Sequence, residues 1–227
     1  MNILEIAPPI RAQLVELLAR HAPLRKVPLC PELHAHYAHS LLDVWEAAES
    51  LAKQPVPAPF WAYPWAAGSA LARVLLDRPE LVAGKRVLDF GAGGGVASLA
   101  GARAGAAVVV ANDIDATALL VCRIAASAQG LCIDTRHADV CDEPAYTEQF
   151  DVVLCSDLHY ERSETPRQQH VLAHARRAGA DVIVADAGRT YFDAAGLELL
   201  AEYDVTVPAD LEGQAQRHAR VYRFFSG

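Results

Sequence analysis

Carboxylates stand at the ends of successive apolar runs in this chain, and their spacing defines the chemistry they can share. The run Arg86-Val87-Leu88-Asp89-Phe90 passes directly into Gly91-Ala92-Gly93-Gly94-Gly95-Val96. A short strand ending in a glycine turn lets the backbone approach a ligand and opens the following helix toward it. The next apolar run, Val108-Val109-Val110-Ala111-Asn112, ends in Asp113, 24 residues after Asp89. That interval suits a carboxylate that accepts hydrogen bonds from ribose hydroxyls. Asp139 closes a third run, and a fourth, Asp151 to Cys155, turns abruptly polar in Ser156-Asp157-Leu158-His159-Tyr160. In an open α/β sheet the carboxyl ends of neighbouring strands line one crevice, so Asp89, Asp113 and Asp139 are expected on one nucleoside-bearing ligand. Asp157 and Tyr160 are expected where a second reactant would sit.

A dinucleotide is the first ligand to weigh. The pattern here is Gly91-x-Gly93-x-x-Val96, without the third glycine used for close helix packing in dinucleotide folds, and Asp89 is expected to face the ligand. A carboxylate there repels pyrophosphate and favours a cationic sulfonium carrying an ammonium group. The strand-Asp-x-Gly-x-Gly form resembles the S-adenosylmethionine site of the seven-strand methyltransferases. In such sites an acidic residue at the position of Asp139 receives the adenine amino group; the competing reading is a turn aspartate, with Asp142 and Glu143 close by.

Asp157 and Tyr160 form an Asp-x-x-Tyr pattern, which resembles the Asp/Glu-x-x-Tyr/Phe signature of seven-strand enzymes that methylate protein lysines. A carboxylate can hold an ammonium by a charge-assisted bond while an aromatic ring flanks the cation. Pro59-Phe60-Trp61-Ala62-Tyr63-Pro64-Trp65-Ala66-Ala67-Gly68, the glycine turn, Ala111-Asn112-Asp113-Ile114-Asp115, Ser156 to Tyr160 and Asp186-Ala187-Gly188-Arg189 follow in the order of the electron transfer flavoprotein β-subunit lysine methyltransferases. The resemblance covers about residues 28 to 192. Ala67 replaces a glycine of that pattern, His159 an aromatic and Ala187 a proline. The resemblance implies S-adenosylmethionine held by Asp89, Gly91, Gly93, Asp113 and Asp139, with Trp65 either touching the cofactor or packing the domain junction. It implies Asp157 and Tyr160 as the catalytic pair, and His159 and Arg189 on the substrate side, where a solvated loop arginine is the competing reading of Arg189. The implied activity is methyl transfer to lysines of the flavoprotein β subunit. The alternatives are a different protein or small-molecule acceptor, or a catalytically silent S-adenosylmethionine-binding scaffold.

The elements that must position these residues read as α/β. After Pro8-Pro9, Ile10, Leu14, Leu17 and Leu18 share a helical face; Leu33, Tyr37, Leu41, Val44, Ala48 and Leu51 repeat at helical steps after Pro31. Residues 1–58 are therefore expected to form a helical extension, separate from a methyltransferase domain at 59–227, with Pro55-Val56-Pro57-Ala58-Pro59 as an extended connector. Beyond it, helices over 66–76, 95–103, 116–129 and 167–177 alternate with strands over 87–90, 107–111, 132–137, 151–155 and 181–185. A closing hairpin, Tyr203 to Val207 and Ala219 to Phe225, completes a seven-strand Rossmann-like sheet that is parallel except for an antiparallel strand.

With a formal net charge of −8 and a pI near 5.5, the chain is poorly suited to track a phosphate backbone, so nucleic acid is not the favoured partner. The five cysteines include no Cys-x-x-Cys pair, which suits reduced thiols and a cytoplasmic location. No apolar run reaches membrane-spanning length, and Met1-Asn2-Ile3-Leu4-Glu5 lacks the basic start of a signal peptide. His34, His36 and His39 suggest a metal, but on a helix His34 and His36 point to nearly opposite sides; no metal is expected. A monomer is expected.

Overall fold

A computed structural model of the chain describes residues 8–224. It opens with α1 (Pro8–His21), a hairpin of β1 (Leu24–Val27) and β2 (Cys30–His36), and α2 (Leu41–Ala52). The hairpin replaces the first half of the second helix expected from the sequence. Prolines 23, 28 and 31 each fix their own backbone and disfavour helix in the residue before them, and Leu29 turns the chain at φ +61°. Leu33 and Ala35 then face the core at the two-residue period of a strand. Helix begins only where Ser40 caps it by accepting the Asp43 N–H at 3.2 Å. His34 and His36 consequently share one face of β2, where His36 Nδ1 lies 2.9 Å from the Ala22 carbonyl oxygen. The side chain of Ile10, the N-terminal residues Met1 to Glu5 and Phe225 lie outside the described residues.

After the connector come α3 (Ala66–Asp77), β3 (Arg86–Phe90), α4 (Val96–Arg103), β4 (Val108–Asp113), α5 (Ala116–Ala128), β5 (Asp134–His137), β6 (Val152–Ser156), α6 (Thr165–Arg177), β7 (Asp181–Asp186), β8 (Leu197–Thr206), α7 (Ala209–Glu212) and β9 (Gln216–Phe224). The sheet order is β5-β4-β3-β6-β7-β9-β8, with β9 antiparallel to both neighbours and the other pairings parallel. This is the seven-strand sheet with a closing hairpin expected from the sequence. Its last hairpin is longer than the pattern suggested, because β8 begins at Leu197 and carries exposed Glu198, Glu202 and Asp204 along a sheet edge.

Strand order reverses at β3: the chain first adds β4 and β5 on one side, then crosses to add β6 and β7 on the other. A crevice opens at the carboxyl ends of such strands. The N-terminal elements are not separate from this domain. Cys30, Leu33 and Ala35 share a core with Leu71 and Leu75 of α3 and Leu99 of α4. Leu14, Leu17 and Leu18 pack with Leu119 and Val121 of α5. Each such leucine, buried in this way, stabilises the fold by roughly 1.5–3 kcal/mol, which ties α1 and the hairpin to the sheet. No helix among the described residues is long and apolar enough to cross a membrane.

Candidate active site

A cavity of about 650 Å³ occupies the crevice, within the range of small-molecule sites. One wall is the glycine turn. Gly91 and Gly93 take φ of +73° and +51°, conformations that strain most other residues. A Cβ on Gly93 would meet nothing within 4 Å, so the backbone there is open to a ligand. The Gly93 N–H donates to Asp113 Oδ2 at 2.7 Å and the Asp115 N–H to Asp113 Oδ1 at 2.9 Å. Asp113 lines the cavity with lone pairs to spare, and burial raises its pKa.

Asp89 stands elsewhere. Expected to face the ligand, it is instead 1% exposed, lies outside the cavity wall and accepts the Ser98 hydroxyl of α4 at 2.5 Å. It braces the turn against the helix that follows. Burial pushes its carboxyl up to about 6, against the Ser98 hydroxyl. Asp139 lines the cavity beyond β5, but both oxygens are engaged, Oδ1 by the Cys141 N–H at 2.9 Å and Oδ2 by Arg167 at 2.9 Å. It thus caps a turn and faces the cavity, combining the two readings of the sequence. Although burial opposes ionisation, the Cys141 amide and Arg167 hold its carboxyl below the usual range.

The lining continues along the ends of β6 and β7. Asp157 adopts a left-handed backbone, φ +54°, which aspartate tolerates better than most residues. Its N–H donates to Ala185 O at 3.1 Å, its Oδ2 accepts the Ala67 N–H at the start of α3 at 3.0 Å, and its Oδ1 accepts Arg189 Nε at 2.8 Å. Burial pushes Asp157 up to about 6, with Arg189 pulling it back. Arg189 lines the same wall, its guanidinium 5.3 Å from the Trp65 ring centre; it is a paired cation of the site and not a solvated loop residue. Trp65 also lines the cavity, with its indole N–H donating to Phe60 O at 2.8 Å. Tyr160, half exposed, stands 6.0 Å from the Phe60 ring at the cavity rim.

His159 is the second displaced residue. It is 2% exposed, lies off the cavity wall and packs against Phe192, 5.5 Å between ring centres. In the turn that follows β6 its side chain goes inward while its neighbours Leu158 and Tyr160 reach the cavity; burial lowers its pKa to about 4, so it carries no charge for a substrate at neutral pH.

Several residues went unread in the sequence. Leu158 closes over Gly91, where a Cβ would lie 2.4 Å from Leu158 Cδ2. Asp186 holds the Gly188 and Arg189 amides at 2.6 and 2.8 Å, an Asx turn legible in Asp-x-Gly. Arg167, in the first turn of α6, reaches Asp139, and the neighbouring Gln168 lines the cavity with a buried Oε1 that has no hydrogen-bond partner among the described residues. Glu212, buried in α7, ion-pairs with Arg217 and Arg189; nothing local in a polar hairpin connection marks it.

Residues 87–194 match the profile described as a methyltransferase domain. The chain is 30% identical over 191 residues to the electron transfer flavoprotein beta subunit lysine methyltransferase of Mus musculus, covering 79% of this chain and 71% of that one. For the Xenopus laevis protein of that name the identity is 29% over 213 residues, covering 91% and 85%. For the Danio rerio protein it is 33% over 144 residues, 61% of this chain and 54% of the relative, so that match spans about half the relative's length. Among solved structures, the Thermus thermophilus 16S rRNA N2 G1207 methyltransferase in complex with AdoMet and guanosine superposes with a TM-score of 0.58, at 18% identity over 90% of this chain and 50% of that one. A putative methyltransferase, SMU.776, complexed with SAH, also reaches 0.58, at 11% identity over 89% and 56%; both likenesses speak for the fold. With the order of motifs, the crevice and the mouse relative agreeing, the chain belongs to the family of electron transfer flavoprotein beta subunit lysine methyltransferases.

Proposed function

We propose that this protein transfers methyl groups from S-adenosylmethionine to lysine side chains of the electron transfer flavoprotein β subunit. The observation that carries the reading is a single cavity lined by two unlike sets of residues. The first comprises the open Gly93 backbone and Asp113; the second comprises Asp157, Tyr160 and Trp65. The first set fits the cofactor: Gly93 leaves room for close approach, Asp113 would hold the ribose, and Asp139 and Gln168 Oε1, which has no partner among the described residues, would meet the adenine amino group. Asp89 acts behind the turn, keeping it in place through Ser98.

When bound, S-adenosylmethionine supplies a methyl group on a positively charged sulfur. The protein's own part is alignment and desolvation. Tyr160 and Trp65 offer aromatic faces to the lysine stem and its amine. Asp157 orients that amine. It is a poor base for an ammonium whose ordinary pKa is near 10.4, so the neutral amine must form before attack and the transfer rate rises with pH. Incubating the enzyme with the purified β subunit and S-adenosylmethionine, and reading intact mass, tests the proposal. Steps of ~14 Da, one per methyl group, on the β subunit are expected; labelling of another protein alone from a cell extract would move the assignment to a different acceptor.

A further inference from the structure

Arg189 sits between two carboxylates and is bonded to one of them. Its Nε donates to Asp157 Oδ1 at 2.8 Å, and its Nη1 lies 3.7 Å from Glu212 Oε2. Its guanidinium also lies 5.3 Å from the Trp65 ring centre. A carboxylate and an aromatic face are the two features that recognise an alkylammonium, and Arg189 is engaged with both. Glu212 is underused by comparison. Its side chain is 1% exposed, Oε2 accepts Arg217 Nε at 3.0 Å, and Oε1 has no hydrogen-bond partner among the described residues. A buried carboxylate oxygen without a donor is costly. From 3.7 Å, Nη1 needs to move about an ångström to reach hydrogen-bond distance. The backbone of Arg189 is held meanwhile, because Asp186 accepts its N–H at 2.8 Å.

Resting on the lysine-methylation reading above, we propose that Arg189 is a placeholder for the acceptor lysine, with Glu212 as its second seat. Without an acceptor, Arg189 neutralises Asp157. As a lysine enters, Arg189 swings onto Glu212, leaving Asp157 Oδ1 and the Trp65 face to the incoming amine. One cation replaces another beside Asp157 as the lysine enters, so the buried carboxylate stays paired until the amine gives up its proton. A neutral side chain such as glutamine has no charge to compensate Asp157 and does not displace Arg189, which makes the pair a determinant of specificity. Glu212 is a positioning residue that acts through Arg189.

Steady-state methylation of the purified β subunit tests this with a double-mutant cycle. Glu212→Gln is expected to raise KM for the β subunit about tenfold with a smaller change in kcat, and to leave S-adenosylhomocysteine affinity within about twofold. In an Arg189→Met background the same change is expected to alter KM by less than about twofold. An equal cost of Glu212→Gln in both backgrounds, in an enzyme that methylates the β subunit, overturns the placeholder alone. Failure of the wild type to methylate the β subunit overturns the underlying reading and the placeholder with it. A crystal structure of the wild-type enzyme with S-adenosylhomocysteine and a lysine-bearing β-subunit peptide gives an independent answer if either variant fails to fold. Arg189 within about 3.2 Å of Glu212 is expected; Arg189 still bonded to Asp157 beside a seated lysine overturns the proposal.

Discussion

Gly91 and Leu158, just beyond the ends of the paired strands β3 and β6, meet so closely that no side chain fits between them: a Cβ on Gly91 would lie 2.4 Å from Leu158 Cδ2 and 2.8 Å from Cδ1. The contact joins the loop after β3 to the loop after β6, and Leu158 is the immediate neighbour of Asp157. Gly91→Ala therefore strains the backbone at φ +73° and pushes on the loop that carries Asp157 together. The backbone conformation alone costs about 1–2 kcal/mol. Calorimetry with S-adenosylhomocysteine is expected to show affinity at least about tenfold weaker, each tenfold being ~1.4 kcal/mol. Adding Leu158→Ala should recover part of the loss by making room for the methyl group. Wild-type affinity in Gly91→Ala would mean that the two loops are not coupled.

Gly93 gives the opposite case two residues on. Its φ of +51° suits aspartate better than most side chains, and a Cβ there meets no neighbour. Gly93→Asp should fold with a melting temperature close to that of the wild type, yet place a side chain and a negative charge in the cavity. Cofactor binding by calorimetry is expected to vanish. Retained binding would remove the glycine turn from the cofactor site.

β3, β4, β6 and β7 were legible because each is a short apolar run that turns polar or glycine-rich at the crevice; β5, Asp134-Thr135-Arg136-His137, carries no such run, and the closing hairpin was read from its alternation. The N-terminal hairpin was not, since Leu33, Tyr37 and Leu41 repeat at helical steps by coincidence; the prolines at 23, 28 and 31 were the better signal. Within the site, Asp113, Asp139, Asp157, Tyr160, Trp65 and Arg189 could be placed at the crevice from strand ends and motif order, and all line the cavity. Asp89 and His159 could not. Both lie next to cavity-lining residues, and side-chain direction at a strand end depends on what packs behind it: Ser98 for Asp89, Phe192 for His159. Glu212 arrives from the far end of the chain, through a polar connection whose residues form no motif with the strand ends.

Asp89 carries a pH signature. Burial raises its pKa from 3.8 to about 6, so between pH 4 and 6 the folded protein binds a proton that the unfolded chain has lost. Stability from this group falls as pH rises through that window, at up to ~1.4 kcal/mol per unit. Asp89→Asn keeps an oxygen for the Ser98 hydroxyl and removes the titration. The stability of the variant relative to wild type, from denaturant melts, should therefore improve steadily from pH 4 to pH 7. A constant difference across that range would show that Asp89 does not titrate there.

Asp157 separates transfer from cofactor binding. Asparagine tolerates the φ of +54° and keeps one oxygen for either the Ala67 amide or the Arg189 guanidinium, so Asp157→Asn is a gentler change than alanine. It removes the charge proposed above to orient the acceptor amine. Methyl transfer to the β subunit is expected to fall by at least about tenfold in kcat/KM, a loss of ~1.4 kcal/mol or more of transition-state stabilisation. Affinity for S-adenosylhomocysteine should stay within about threefold, because the carboxylate of Asp157 bonds the Ala67 amide and Arg189 and neither Asp113 nor the turn at Gly93. Wild-type activity in the variant would take the amine-orienting role from Asp157. Loss of cofactor affinity in a variant that still melts cooperatively would instead place Asp157 in the cofactor site, where its bond to the start of α3 shapes the wall that Trp65 shares.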